Sequence, residues 1–540
     1  MTKSAPQRIV WYDTETTGRS PQTDRIVRLA YIETDKELRA IWEGEWQILL
    51  DADVLPSLDA LLLNRVVLSR NRLYPPWTWN CGDEGKARIT SIPSDFELGI
   101  VRKSDGPDLR RCSLSDHELA QALAWLFHRH PGIVQAGFNS VKFDDEFVRF
   151  TLYRNLYDPY SPRWPVRGSS RLDTLNMIRA VSIASPDAMR WPTDDDGVPS
   201  YKLEDLAAEN DVEFLAHAHD ALSDARATLA LAQMVKRNAT DIWMFAIQES
   251  DRNSVESRLQ DDLNDRQDGT LMHVSENYGN ARRCAAPIVT VCKHPRYRNW
   301  YVIIDLAHDP TVLLDTHPSD IRDRLYKKTE DLEADDETRP PLGHVALTKA
   351  PLVLRNEART ANQMSELAGY NMTTVLRHRE IARRHKRELQ RICNEVFDIA
   401  HDGPPRDAEQ SLYDGKFPSN HEKLAIQDIR ERILARERPS SADIRQLPEK
   451  YQTLAMRMMT RMRPDLLSNS QRERWKERVR GWYEDGFGTR PSAADLKAKV
   501  QRRGTASPEE QRVLNGIMDH IGAGERGQEL TASQNSDTWI

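Results

Sequence analysis

The sequence predicts three regions in a set order: a mixed α/β domain, a small β-rich unit and an all-helical remainder. Three observations predict it. Residues 8 to about 235 alternate short apolar strands with amphipathic helices, as a domain with a central sheet does. Residues near 270–356 break into short strands separated by turns. From about residue 362 onward helical periodicity dominates, with proline- and serine-bearing breaks near 403–405, 418–419 and 439–441. The chain is long enough for several domains, and we place the limits at 1–238, 239–400 and 401–540.

The elements follow in order. "RIVWYD" (8–13), "RIVRLAYIET" (25–34) and "EGEWQILL" (43–50) are rich in branched and aromatic residues and read as strands. Residues 69–111 are rich in turn formers, fit no periodicity and read as an insertion. "SDHELAQALAWLFHRH" (115–130) has helical spacing, "GIVQAGFN" (132–139) is again a strand, and "DDEFVRFTLYRNLY" (144–157) and residues 220–238 are helices. In the β-rich unit "MHVS", "PIVTVCK", "WYVIIDL", "TVLLD" (311–315) and "HVALTK" read as short strands. The tail "RGQELTASQNSDTWI" is polar and expected to be loosely ordered.

Composition narrows the function classes. No apolar run approaches the ~20 residues of a membrane-spanning helix, and the N-terminus lacks an apolar signal core, so the cytoplasm is the expected location. The five cysteines form no C-x-x-C pair, which argues against zinc clips and a disulfide framework. Any metal should then sit among oxygen ligands, which favours Mg²⁺ or Mn²⁺. The net charge of −7 conceals an uneven distribution. Acidic residues gather in "EDLEADDE" (330–337), and basic ones in "RHREIARRHKRELQR" (377–391), "RMMTRMR" (457–463) and "RERWKERVR" (472–480). Three basic segments in one region suggest a positive surface, although each is also compatible with a solvated helix face.

Three short motifs bear chemistry. In "VWYDTETTG" (10–18) the carboxylates of Asp13 and Glu15 are two residues apart on a strand and share a face. Two anions so held repel, and a divalent cation would keep both ionised. In "AGFNSVKFDDEF" (136–147) a strand leads through a turn to a helix start with Asp144 at its mouth. In "HAHDALSDARAT" (217–228) His219 precedes a helix whose first turns carry Asp224 facing inward. Each motif alone is common. Four carboxylates and one histidine in this order within one α/β domain are not.

The set resembles the DEDDh family of 3′→5′ exonucleases, the histidine-bearing branch of the ribonuclease-H-like fold. "YRNLYDPY" (153–160), "WPTDDDGVPSYKLEDLAAEN" (191–210), "HPRYRNWYVIIDL" (294–306), "IRDRLY" (321–326) and "SLYDGKF" (411–417) are similar to its single-strand-specific bacterial exodeoxyribonucleases, over about residues 8–490. The resemblance implies a ribonuclease-H-like exonuclease domain, an SH3-like β-rich domain and an all-helical C-terminal domain, closed as a C-shaped clamp around single-stranded DNA. It implies that Asp13, Glu15, Asp144 and Asp224 hold two Mg²⁺ ions, with Mn²⁺ as a substitute, and that His219 is the general base. The same likeness puts Lys202 at a substrate-binding position where the family has arginine, losing the bidentate fork but keeping the charge. Glu15, Arg149, Tyr160, Trp164 and Arg179 match positions that contact the strand. The implied reaction releases 5′-mononucleotides in DNA repair or recombination. The implied partner besides DNA is the acidic C-terminal tail of single-stranded-DNA-binding protein, for which the helix bearing Arg383 is the expected dock; a clamp suits a monomer. The family segment that borders the 3′-terminal nucleotide is altered here: "NRVV" follows "LPSLDALLL" (55–63), and "RITSI" (88–92) is the alternative after the insertion. An RNA-directed exonuclease and a non-catalytic single-strand-binding scaffold remain the rival readings.

Overall fold

The computed structural model describes residues 8–68, 79–81, 87–89, 111–128, 132–160, 169–212, 220–249, 252–266, 269–356, 365–399, 406–503 and 506–527. His219, Trp164 and most of the 69–111 segment lie outside the described residues.

The first region is built on a mixed six-stranded sheet. Its strands are β1 (Arg8–Thr16), β2 (Ile26–Asp35), β3 (Ala40–Leu49), β6 (Arg111–Ser115), β7 (Val134–Gly137) and β8 (Ser170–Asp173), in the order β6-β3-β2-β1-β7-β8. A separate hairpin, β4 (Trp79–Cys81) with β5 (Ala87–Ile89), falls within the segment read as an insertion. β1, β2 and β3 form an antiparallel meander, while β6, β7 and β8 each join in parallel. Helices α1 (Leu58–Leu63), α2 (Asp116–His128), α3 (Asp144–Arg154), α4 (Thr174–Ala184), α5 (Leu203–Glu209), α6 (Ala221–Asn238) and α7 (Thr240–Glu249) complete this region.

β1 is central and buried on both faces, and its residues alternate between two cores. Ile9 and Trp11 pack with α4, α6 and α7; Val10 and Tyr12 pack with α2 and α3. Trp11 is fully buried, and its indole N–H donates to Thr34 Oγ1 at 3.1 Å, so the ring's one polar group is satisfied.

After α8 (Arg252–Leu263) comes a five-stranded antiparallel sheet of β9 (Thr270–Val274), β10 (Ala285–Lys293), β11 (Trp300–Asp305), β12 (Leu342–Ala346) and β13 (Leu352–Asn356), ordered β12-β11-β10-β9-β13. The helices Met372–Arg384 and Lys386–Phe397 pack on one face of it and α8 on the other. One predicted strand is corrected here. "TVLLD" forms a single helical turn, Thr311–Leu314. Asp309 Oδ1 accepts from both the N–H and the hydroxyl of Thr311, which turns the chain, and Leu313 then buries against the helices beside the sheet. The turn closed by Asp309 and the burial of Leu313 override the strand preference of a β-branched pair.

The C-terminal region is helical: Asn420–Leu434, Glu449–Met462, Asn469–Asp485, Ala493–Arg502 and Pro508–Gly527 are its longer elements. It packs back on the first region at two places. Phe150, Tyr153 and Leu156, at the end of α3, join Leu412, Ile429 and Leu454. Val27 of β2 and Leu58 and Leu61 of α1 join Val479, Leu496 and Ile517. Among the described residues no helix is long and apolar enough to cross a membrane.

Candidate active site

Strand parity carries the chemistry. The odd residues of β1 face α6, so Asp13 and Glu15 continue the row of Ile9 and Trp11 toward that helix. β1 pairs with β7 only at Ile9–Trp11, so Asp13 and Glu15 project beyond that pairing. α6 meets them with Asp224. Asp220 caps α6, its side chain accepting from Ser223 N at 3.3 Å, and this start sets Asp224 in the first turn. Asp13, Glu15 and Asp224 each offer a carboxylate oxygen within 4.8 Å of the other two.

Asp144 arrives from the opposite face. Thr14, between the two carboxylates of β1, points toward α3 and donates to Asp144 Oδ1 at 2.6 Å. Asp144 is the first residue of α3, as the sequence predicts, and the turn that delivers it is tightly specified. A Cβ at Gly137 would lie 2.7 Å from Tyr12 O, so only glycine lets β7 end this close to β1. Asn139 takes a left-handed φ of 57°, which asparagine tolerates. Asp173 accepts from Asn139 N (3.2 Å) and Val141 N (3.3 Å) while also capping α4. Next in the chain, Asp145 is held by Tyr12 and Arg171, and Arg171 also reaches Thr348 O in the β-rich unit. Asp173 and Arg171 belong to the support of this site, and no local pattern in the sequence marks them.

The electrostatics are those of a site that wants a cation. Burial is the main cause of every shift. It pushes Glu15 up to about 8, with Asp224 next and Arg28 opposing. It pushes Asp224 up to about 7, helped by Asp220 and Glu204. Asp144 rises to about 7 against the Thr14 hydrogen bond. Asp13 is raised well above the carboxylate range by burial and then by Asp144, Asp224 and Glu15. Asp224 Oδ1 is buried with no hydrogen-bond partner among the described residues. An all-oxygen, electron-rich cluster with an orphaned buried oxygen fits a hard divalent cation.

This sets a pH dependence. Unfolded carboxyls titrate near ~4, so between about pH 4 and 8 the folded state holds protons that the unfolded chain has lost. The contribution to stability is present below about pH 4 and is lost as pH rises through about 7–8. In EDTA the melting temperature should therefore fall from pH 5.5 to 8.5, and saturating Mn²⁺ should remove most of that fall. Calorimetric scans across this range check it; equal slopes with and without Mn²⁺ would contradict a cation site here.

The remaining predicted positions are distributed as follows. Lys202 is exposed at the N-cap of α5, and Glu204, two residues on, is close enough to raise Asp224. Arg149 is buried on α3; it donates to Glu146 Oε1 (2.8 Å) and Tyr413 Oη (2.5 Å) and lies 5.8 Å from the Tyr160 ring centroid. Its Nε and Nη2, and the Tyr160 hydroxyl, are buried without hydrogen-bond partners among the described residues. Arg179 is buried on α4 under Asn176 (3.1 Å) and faces Glu276 of the β-rich unit. Arg383 ion-pairs with Asp265 at 2.8 Å, in a small recess with Val289, Val291 and Lys386. Residues not singled out from sequence also gather near Arg149. Exposed Tyr413 and Phe417 of the helical region and Lys349 of the β-rich unit surround Glu146, Arg149 and Tyr160. Only folding unites them, since their sequence separations exceed 200 residues.

A carboxylate trio at the end of the central strand of this mixed sheet, with Asp144 at the adjoining helix start, defines a nuclease of the ribonuclease-H-like exonuclease class. Family models agree along the chain: an exonuclease domain matches residues 127–232, the exonuclease I SH3-like domain 252–399 and the exonuclease I C-terminal domain 406–522. The chain belongs to the bacterial exonuclease I family. It is 28% identical to an exodeoxyribonuclease I of Escherichia coli over 91% of this chain and 93% of that protein. It is similar to an exonuclease I structure from Methylocaldum szegediense (27% identity, TM-score 0.77, 96% of this chain and 99% of that one). It is also similar to the Escherichia coli exonuclease I crystallised with a dA16 oligonucleotide (25% identity, TM-score 0.76, 96% and 100%).

Proposed function

We propose that this protein is a single-strand-specific 3′→5′ exodeoxyribonuclease releasing 5′-mononucleotides, acting in the cytoplasm in DNA repair or recombination. The observation that carries it is the convergence of Asp13, Glu15 and Asp224 within 4.8 Å in a chain that matches exonuclease I domains to its C-terminal helices. Asp13, Glu15, Asp144 and Asp224 would hold two Mg²⁺ ions, or Mn²⁺ in their place. Such ions supply Lewis-acid polarisation and a bound water of lowered pKa. His219 takes the proton of the attacking water. Lys202 offsets charge at the scissile phosphate. Arg149, Tyr160, Trp164 and Arg179 line the strand's path, and Tyr413, Phe417 and Lys349 extend it. Aromatic faces would stack bases without reading sequence, worth roughly 1–3 kcal/mol per base, and the cations would make binding salt-dependent.

The three regions would form a C-shaped clamp that works as a monomer. For a protein partner, the helix carrying Arg383 suits the acidic tail of single-stranded-DNA-binding protein; Asp265 already seats one carboxylate against Arg383 and Lys386.

The test is a time course with Mg²⁺ on 5′-labelled single-stranded DNA beside the matching duplex and RNA. The expected result is a ladder shortening from the 3′ end on single-stranded DNA alone, stopped by EDTA. Preferential loss of the RNA would favour a ribonuclease, and binding without cleavage would favour a scaffold.

A further inference from the structure

The turn that follows Glu15 is held by the helical region rather than by its own domain alone. β1 ends at Thr16, and its pairing with β2 slips at Glu15/Thr16, leaving Val27 as the extra residue. Val27 is fully buried beneath the C-terminal helices. The turn itself, residues 17–25, closes on Thr17, whose N–H donates to Arg25 O at 2.9 Å and whose hydroxyl accepts from Arg25 N at 3.0 Å. Arg25 then leaves the domain, paired with Glu409 of the helical region, both almost wholly buried. Glu409 is also held by Arg461 at 2.7 Å and Arg457 at 3.2 Å. From a second direction, the hairpin around Gly488 is seated on the same turn. Arg490 Nε donates to Thr23 O at 2.6 Å, and the hydroxyls of Thr23 and Thr489 lie 2.6 Å apart. Gly488 has a left-handed φ of 62°, and a Cβ there would lie 2.5 Å from Thr23 Cγ2.

Buried ion pairs of this kind add little net stability over apolar packing of the same volume, but they demand one geometry. What is held to one geometry here is the backbone two residues beyond Glu15.

We infer that the helical region, through Glu409, Thr489 and Arg490, is a positioning element for the Glu15 carboxylate, so that it sets divalent-ion affinity and turnover without touching the substrate bond. The inference rests on the metal-binding role proposed for Glu15.

Gly488→Ala pushes the hairpin off Thr23, and Thr489→Val removes one hydroxyl at near-constant volume. Two readouts serve in the full-length protein: Mn²⁺ binding by calorimetry without DNA, and kcat and KM on a dinucleotide, which spans one phosphodiester. For Gly488→Ala we expect Mn²⁺ affinity to fall about 10- to 100-fold, the range found when outer supports of metal ligands are lost. For Thr489→Val we expect a drop of about three- to tenfold, the size of one hydrogen bond. kcat should fall in parallel with KM for the dinucleotide unchanged, and Thr489→Ser should restore both. Folded variants with wild-type Mn²⁺ affinity and kcat would overturn the inference; if Gly488→Ala does not fold, the Thr489 pair decides alone. A wild-type protein that binds Mn²⁺ but cleaves no DNA would defeat the nuclease reading while the affinity differences still judge the positioning. A wild type that binds no Mn²⁺ defeats the positioning.

Discussion

Asp13→Asn is expected to abolish divalent-dependent cleavage and, in the same molecule, to make the metal-free protein more heat-stable at pH 8. The first effect follows from losing one of the three clustered carboxylates that could hold a cation. Cation stabilisation of transition-state charge is worth several kcal/mol, so turnover should fall on the order of 10³-fold or more. The second follows from the field at the site. Asp13 is raised by burial and by Asp144, Asp224 and Glu15, all of the same sign. Without a cation, ionising this group at pH 8 costs folding free energy, and a neutral amide of the same shape removes that cost. Added Mn²⁺ should then stabilise the variant far less than the wild type, because part of what it neutralises is gone. Parallel melting curves with EDTA and with Mn²⁺, beside a cleavage time course, check both halves. A variant that loses activity and is destabilised in EDTA at pH 8 would mean that Asp13 acts as packing rather than as a ligand. The opposing signs are the mark of a site whose geometry is retained for chemistry at the expense of stability.

Much of this site was legible in the sequence because the information is local. The spacing of Asp13 and Glu15 on a strand gives their shared face, and the start of α6 at Asp220 gives the inward position of Asp224. Asp144 at the mouth of α3 follows from the turn after β7. What was not legible is non-local. Nothing near Asp173 says that it pins the turn carrying Asp144, since its partners are more than 30 residues away. The order β6-β3-β2-β1-β7-β8 depends on crossovers that no strand pattern encodes. β8 and β13 are each no more than five residues long, too short for periodicity to announce them. The misread "TVLLD" shows the same limit from the other side, because β-branched residues suggest a strand until a turn-forming aspartate and a buried leucine decide otherwise. Arg149 and Tyr160 could be singled out from the motifs around them, whereas Tyr413, Phe417 and Lys349 come to that place only through the packing of three regions.

His219→Ala should cut turnover about 10²- to 10⁴-fold, the range of a lost general base, and leave single-stranded DNA binding intact. His219 is covalently next to Asp220, and Asp220 is well placed: it caps α6 and ion-pairs with Arg28 at 3.2 Å. Arg28 in turn sits opposite Glu15 across β1 and β2. Histidine side chains in general titrate near ~6.5, so a histidine base would gain function as pH rises toward neutral. The wild-type rate should therefore climb between about pH 5.5 and 7.5, and the variant should lose that limb while keeping its dependence on divalent ions. The two titrations are separable, because saturating Mn²⁺ should displace protons from Asp13, Glu15 and Asp224, whereas a histidine base that binds no metal should keep a titrating limb. Cleavage rates from pH 5.5 to 8.5 at saturating Mn²⁺, with DNA affinity measured in Ca²⁺, test the assignment. A variant that keeps wild-type turnover, or that loses DNA affinity and rate together, would move the base to another residue.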